Sequence, residues 1–215
     1  MYSIIAACLF WPLCLFLVPG IWASDPILGI FFFLVMIWSY SWLGVLMHEA
    51  SHNYFRGINN RIAYNALSVM LFLDPQVFRL SHAIHHRHVN SIHDRHFYQF
   101  GRIHSRALRI CKNVGEIFLG VIFAFLAGNY YIVHDEKLRK KYNPLMSLVW
   151  HSSWIAWVSI VLYASSRTFG LGFWQTLLPA LVGFWLSAIM LRHIELVEHG
   201  GIAIEGDLEK RNMAT

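Results

Sequence analysis

Charge is scarce in this sequence. Charged residues make up 13% of the 215 residues, against about 25% in ordinary soluble domains, while hydrophobic residues make up 57%. A soluble monomer of this size would have too few charged side chains to cover its surface. The composition also excludes a disordered chain, and the length excludes a large multidomain enzyme. These features indicate a membrane protein.

Cysteines and acidic residues are also few. Cys8 and Cys14 lie in an apolar run and Cys111 in a polar region, without the spacing of a metal site or a disulfide framework. The 12 Asp and Glu residues are outnumbered by 13 histidines. This histidine excess is the feature that composition alone does not explain.

Four uncharged apolar runs are candidates to cross the membrane, which takes about 20 residues. They cover residues 2–22, 27–47, 147–164 and 172–191. The first run lacks the basic n-region of a cleaved signal peptide. Shorter apolar stretches at 62–73 and 117–133 predict interfacial or re-entrant helices. The expected fold is all-α: one membrane domain over residues 1–215, with two transmembrane helical hairpins, interfacial helices and a His-rich cap.

The basic residues fit this topology. Of the 17 Lys and Arg residues, all but Arg167 fall on one side of the membrane in the four-span arrangement. The positive-inside rule then predicts that both termini and the central polar segment are cytosolic. Because topology accounts for the net charge of +5, no nucleic-acid partner is expected.

The histidines are clustered on the predicted cytosolic side, and only His151 lies inside a span. His48 and His52 are four residues apart, which places both rings on one face of a helix. The same spacing rule brings together a second set: His82, His85 and His86. Neutral imidazoles are good ligands for iron, zinc and copper. His199 is a sixth candidate, because it follows the last span and returns to the same side.

The first histidine pair also fits a different class of enzyme. His48-Glu49-Ala-Ser-His52 matches HExxH, the helix of zinc metalloproteases, in which Glu49 would be the general base. A catalytic zinc usually takes three protein ligands and a water, whereas the second set adds three more histidines. No acidic ligand follows at metalloprotease spacing. A membrane zinc protease is therefore the minor alternative.

Taken together, these motifs resemble the membrane fatty acid desaturase/hydroxylase superfamily of histidine-box di-iron oxidoreductases. The first box, at 48–52, follows a hairpin, and Phe78-Arg79-Leu-Ser-His82-Ala-Ile-His85-His86 is similar to the family's second box. Glu198-His199-Gly-Gly resembles the element that supplies an additional iron ligand in related alkane hydroxylases. The resemblance implies an O₂-dependent oxidoreductase of lipid metabolism that desaturates or hydroxylates an acyl chain in the membrane.

The resemblance also implies cofactors, site residues and partners. Two non-haem iron ions would be held by six histidines: His48, His52, His82, His85, His86 and His199. Four acidic residues are candidates to accept a hydrogen bond from a ligand imidazole: Glu49, Asp94, Glu195 and Glu198. The implied partners are a membrane lipid or acyl substrate, O₂, and an electron donor such as ferredoxin or cytochrome. Desaturation, hydroxylation and ketolation share these boxes, so the choice among them stays open, as does the oligomeric state.

One element of the family pattern is missing. The third box, HxxHH, does not occur between residues 192 and 215. Four other histidines are possible extra ligands: His88, His93, His96 and His193. We expect a C-terminally incomplete member of the family, and the alternative is a catalytically incompetent, desaturase-like membrane protein.

Overall fold

The structure is a computed structural model, and it is all-α in the part of the chain that it describes. It describes residues 2–57, 59–88, 105–108, 110–111, 114–115, 118–119, 122 and 132–199. In chain order its helices are α1 (Tyr2–Ser24), α2 (Pro26–Ser51), α3 (Asn60–Met70), α4 (Pro75–His88), α5 (Glu136–Arg139), α6 (Pro144–Phe169) and α7 (Phe173–His199). The predicted all-α class is confirmed.

Four helices are long and apolar enough to cross a membrane. The segments are Ile4–Ser24, Pro26–Ser51, Pro144–Phe169 and Phe173–Leu191. They correspond to the four predicted spans. Helix α2 continues four residues beyond the predicted end at Met47, so the His48 and His52 box begins on the last turn of the helix itself.

A single acidic residue forms the first hairpin turn. The Asp25 carboxylate accepts hydrogen bonds from the backbone N–H groups of Ile27 (3.0 Å) and Leu28 (3.1 Å). Pro26 occupies the first position of α2, where its missing N–H costs nothing. Gly29 lies so close to α1 that an added Cβ would come within 2.7 Å of the Trp22 Cα. Glycine at position 29 therefore lets the start of α2 approach the end of α1 closely.

The chain divides into two compact units. Unit 1 comprises residues 1–75 and 144–188, and unit 2 comprises residues 76–143 and 189–215. An aromatic cluster lies in the core of unit 1: Trp11 is fully buried, with its ring centroid 4.8 Å from that of Tyr40 and 5.2 Å from that of Phe184. Ser165 Oγ donates to the Phe16 carbonyl at 2.7 Å, which joins α6 to α1. Unit 1 is thus a bundle that contains both spanning hairpins.

Helix α3 also belongs to unit 1, where it packs against α2 and α6. Its buried face carries Ala63, Tyr64, Leu67 and Ser68, while Ile62 on the other side is 67% exposed. The first predicted short helix, 62–73, therefore exists, although it ends at Met70. The second, 117–133, lies mostly outside the described residues.

Unit 2 contains α4, which carries the second histidine box, and the short helix α5. The start of α4 is hydrogen-bonded to Asn143, the residue that precedes α6. The Gln76 amide donates to the Asn143 carbonyl at 3.1 Å, and its side-chain oxygen accepts from the Asn143 backbone N–H at 3.0 Å. These two bonds join the ends of the central segment within unit 2.

Candidate metal centre

The first histidine box occupies the last turn of α2. His48 and His52 lie on one face, with ring centroids 4.7 Å apart. The helix ends here because Asn53 adopts a left-handed conformation (φ +62°), which Asn tolerates better than most residues. The Asn53 N–H donates to the Ala50 carbonyl and the Tyr54 N–H to the Glu49 carbonyl, both at 3.2 Å. This Schellman motif fixes the backbone that carries His52.

The surroundings of this box suit metal binding. Partial burial lowers the pKa of His52, which favours the neutral imidazole that a metal requires. The Glu49 carboxylate lies 3.6 Å from Nδ1 of His48, slightly beyond hydrogen-bond distance. After a small rotation it could accept a hydrogen bond from the Nδ1–H group of His48.

The second box occupies α4 in unit 2. Nε2 of His82 and Nε2 of His86 lie 3.0 Å apart, so both could reach one ion at metal–nitrogen distances of about 2.1 Å. His85 is 1% exposed, and its ring centroid lies 5.4 Å from that of His86. Phe78 stacks on His82 with ring centroids 4.8 Å apart and an interplanar angle of 20°. The aromatic residue of this box thus restricts the rotation of a candidate ligand.

Each unit contributes a pair of described histidines that could bind a metal ion: His48 and His52 at the end of α2, and His82 and His86 on α4. His82 is buried and the other three are half-buried. Each can offer one imidazole nitrogen, and no thiolate or carboxylate belongs to either pair. Such a donor set fits iron, zinc or copper and does not fit magnesium or calcium, which prefer oxygen ligands. The residues present therefore fit the predicted iron.

The remaining predicted site residues are less well described. Glu195, Glu198 and His199 lie on the last two turns of α7, and His88 lies at the end of α4, but their side chains are outside the described part. His93, Asp94 and His96 fall outside the described residues altogether. His193 is exposed, and its Nδ1 is 2.8 Å from the Ile189 carbonyl of its own helix. The assignment of these residues stays a prediction.

Sequence reasoning missed one set of polar contacts in unit 1. Three aromatic side chains, which composition suggests as packing residues, donate hydrogen bonds to backbone carbonyls at the end of α3: Tyr40, Trp154 and Trp157. The only sequence signal is general, since buried Tyr and Trp usually find an acceptor. Which acceptor they find depends on helices that are distant in the chain.

Comparison with known proteins agrees with the histidine pattern. The model of the fatty acid desaturase family matches residues 22–215, which is most of the chain. No curated protein and no solved structure gives a significant match. The match includes both histidine boxes and three of the four spanning helices, and the family acts on lipids as an oxidoreductase. On this evidence the chain belongs to the fatty acid desaturase family.

Proposed function

We propose that this protein is an O₂-dependent di-iron oxidoreductase that desaturates or hydroxylates an acyl chain in the membrane. The observation that carries the proposal is the presence of two histidine pairs, His48 with His52 and His82 with His86, in a chain that matches the desaturase family. His85 and His199 complete the proposed ligand set. A pair of iron ions bound by these residues would supply the redox chemistry that breaks an unactivated C–H bond with O₂.

The protein's own residues prepare this site in three ways. Partial burial lowers the pKa of His52 and so favours its neutral form, the form that binds metal. The Glu49 carboxylate lies 3.6 Å from Nδ1 of His48, where a small rotation would let it accept a hydrogen bond from Nδ1–H and direct Nε2 towards the ion. The ring of Phe78 holds the His82 ring by stacking. These features favour the neutral form of His52, the Nδ1–H tautomer of His48 and one orientation of the His82 ring.

The proposed topology follows from the charge distribution. All Lys and Arg residues except Arg167 lie on the side of the membrane that carries the histidine boxes in the four-span arrangement. We place that side and both termini in the cytosol. An acyl chain would then enter from the bilayer, while electrons arrive from a cytosolic donor such as ferredoxin or cytochrome. The whole chain would work as one membrane domain.

The test is to express the chain with iron, purify it in lipid nanodiscs and measure both metal and product. About two irons per chain are expected, together with a lipid product that forms only when O₂ and reductant are present. Labelled ¹⁸O₂ separates the two reactions, because hydroxylation transfers the label to the lipid and desaturation does not.

Two variants make this test specific. His86→Ala should lose most of the iron and all of the product, since it removes one imidazole of the proposed ligand set, the neighbour of His82 at 3.0 Å. His134→Asn is the matched control, because His134 is an exposed histidine outside both boxes. One tightly bound zinc with peptide hydrolysis would establish the protease instead. Bound iron without O₂-dependent product would identify a non-catalytic metal-binding protein, and either result overturns the proposal.

A further inference from the structure

A surface groove lies between α1 and α2, the two helices of the first hairpin. Its volume is about 420 Å³, and its walls include Ala6, Phe10 and Leu13 of α1 and Trp38, Ser39 and Trp42 of α2. All six residues belong to unit 1 and to two of the spanning segments. In a membrane, the groove therefore opens onto the hydrocarbon of the bilayer and not onto water.

The lining of the groove is apolar. Trp38 and Trp42 stack with ring centroids 6.0 Å apart and an interplanar angle of 8°, and they are 53% and 42% exposed. The two rings thus form a wall on the surface of α2. The Ser39 hydroxyl donates to the Met36 carbonyl of the same helix at 2.9 Å. Because a buried polar group needs a hydrogen-bond partner, this lining favours a hydrocarbon occupant.

The size of the groove favours a lipid chain over a helix from a second copy of the protein. Ala6 and Leu13 lie about 10 Å apart along α1, so the volume corresponds to a mean cross-section of about 40 Å². A helix with its side chains is about 10–12 Å across and needs roughly twice that area. Helices in membranes also meet through small residues, whereas the two Trp rings form one wall here.

Basic side chains lie beyond one end of the groove. Helix α1 begins and α2 ends at the same end of the hairpin, and Ser51 is about 13 Å further along α2 than Trp42. Two exposed arginines of unit 1 follow this helix end, Arg56 before α3 and Arg61 in its first turn. Basic residues next to a spanning helix attract anionic headgroups. Apolar groove and cationic end together match the two parts of an anionic phospholipid.

We propose that the groove binds one acyl chain of an anionic phospholipid whose phosphate lies near Arg56 and Arg61. This site is separate from the proposed metal ligands. Six residues, or about one and two-thirds helical turns, separate Trp42 from His48, so the two side chains lie on different faces of α2. The bound lipid is thus a component of the first hairpin, independent of the proposed reaction.

Photolabelling in a bilayer tests this site. The full chain would be placed in phosphatidylcholine nanodiscs that contain a small fraction of a probe lipid with a diazirine in one acyl chain. The probe is a phosphatidylglycerol in one sample and a phosphatidylcholine in the other, and peptide mass spectrometry locates the label. We expect the anionic probe to label residues 6–13 and 38–42 at least threefold more than the neutral probe does. The exposed apolar surface of α6, which includes Leu148 and Ile160, is the internal reference.

One pair of variants tests the groove itself. Ala6→Leu places a larger side chain in the groove, and because Ala6 is exposed it does not overpack the core. It should reduce labelling of the groove at least fivefold. Ala23→Leu is the matched control, since Ala23 is an exposed alanine at the other end of the same helix. It should leave labelling of the groove unchanged, and the melting temperature of each variant shows whether it folds.

A second pair tests the charges. Arg56→Gln combined with Arg61→Gln should lower labelling by the anionic probe about tenfold and change labelling by the neutral probe little. Arg167→Gln is the control, because Arg167 is exposed and lies on the opposite side of the membrane in the four-span arrangement. All three arginines are exposed, so these substitutions leave the core of unit 1 intact.

Four results would overturn the proposal. Labelling of α6 as strong as that of the groove would mean contact with bulk lipid only. Equal labelling by the two probes would remove the role of the phosphate, and unchanged labelling in Ala6→Leu would place the lipid elsewhere. A dimer in native mass spectrometry with an unlabelled groove would assign the groove to a second copy. No metal or turnover enters these measurements, so their outcome is independent of the proposed function.

Discussion

The ends of α2 and α3, at Asn53 and Phe72, differ in the donors that pair with their last backbone carbonyls. Both residues have positive φ, and each follows a helix that precedes or carries a histidine box. At the end of α2, the last carbonyls accept hydrogen bonds from the backbone N–H groups of Asn53 and Tyr54. After α3, the Ser68 carbonyl accepts from backbone N–H groups, whereas the carbonyls of the next three residues accept from the side chains of Tyr40, Trp154 and Trp157. The first end is local, whereas the second depends on residues up to 88 positions away.

The two kinds of helix end constrain different parts of the structure. A helix end closed by its own backbone fixes only the few residues around it, here His52 and its neighbours. A helix end closed by side chains of α2 and α6 also fixes its position relative to those helices in unit 1. The residue types reflect this difference, because Asn suits the left-handed region by itself and Phe needs packing to remain there.

The largest expected effect comes from placing glycine at the second of these ends. Phe72→Gly relieves the strained φ but removes a ring that packs on Trp154 and His151. Because Phe72 is 42% exposed, we expect a net loss of about 2 kcal/mol in the free energy of unfolding, less than for a fully buried Phe. Denaturant unfolding in a fixed detergent measures it.

The matched substitution at the first end is Asn53→Gly, where no comparable packing is lost. Its effect should stay within about 0.5 kcal/mol, since Asn53 is exposed. Equal losses in the two glycine variants would contradict the distinction between a local and a packed helix end.

A second prediction tests whether the end of α2 depends on the residue type at position 53. Asn53→Val places a β-branched side chain in the left-handed region, which costs about 1–2 kcal/mol. The strain should shift His52 and lower the iron content of the purified protein, as measured by mass spectrometry. Asn53→Asp is the control, because Asp also tolerates positive φ; a similar loss of iron in that variant would point to another cause.

A small effect is also expected at His151, the histidine inside a span. Its Nδ1 lies 2.8 Å from the Ser147 carbonyl of its own helix, and its ring meets Phe72 edge to face. His151→Phe keeps the ring contact, so the unfolding free energy should change by less than about 1 kcal/mol and iron content should not change. Iron loss comparable to that of His86→Ala would place His151 in the metal centre.

Much of the fold could be read from the chain because it depends on local chemistry. Uncharged runs of about 20 residues gave the four spans, and the acidic turn at Asp25 separates the first two. Spacing alone placed His82 and His86 on one face, which their 3.0 Å separation confirms. The family assignment also followed from these motifs, and the family match confirms it.

Other features of the structure could not be predicted from the sequence, because no local pattern encodes them. Trp154 and Trp157 lie in an apolar span, where their sequence context is the same as that of lipid-facing aromatics. Phe72 gives no sign of positive φ, since the residues that stabilise it are on other helices. The extension of α2 to Ser51 depended on the cap that Asn53 and Tyr54 form, and a hydropathy run ends earlier.

The sequence by itself determined the candidate spans, the helix faces that carry the histidines and the chemical nature of the candidate donor set, because helix periodicity and side-chain chemistry are properties of neighbouring residues. Only the tertiary structure decided how the turn before α4 is held. Hydrogen bonds from Tyr40, Trp154 and Trp157 require helices α2 and α6 to be packed around α3 first. A donor and an acceptor that lie far apart in the chain meet only after folding, and no spacing rule connects them.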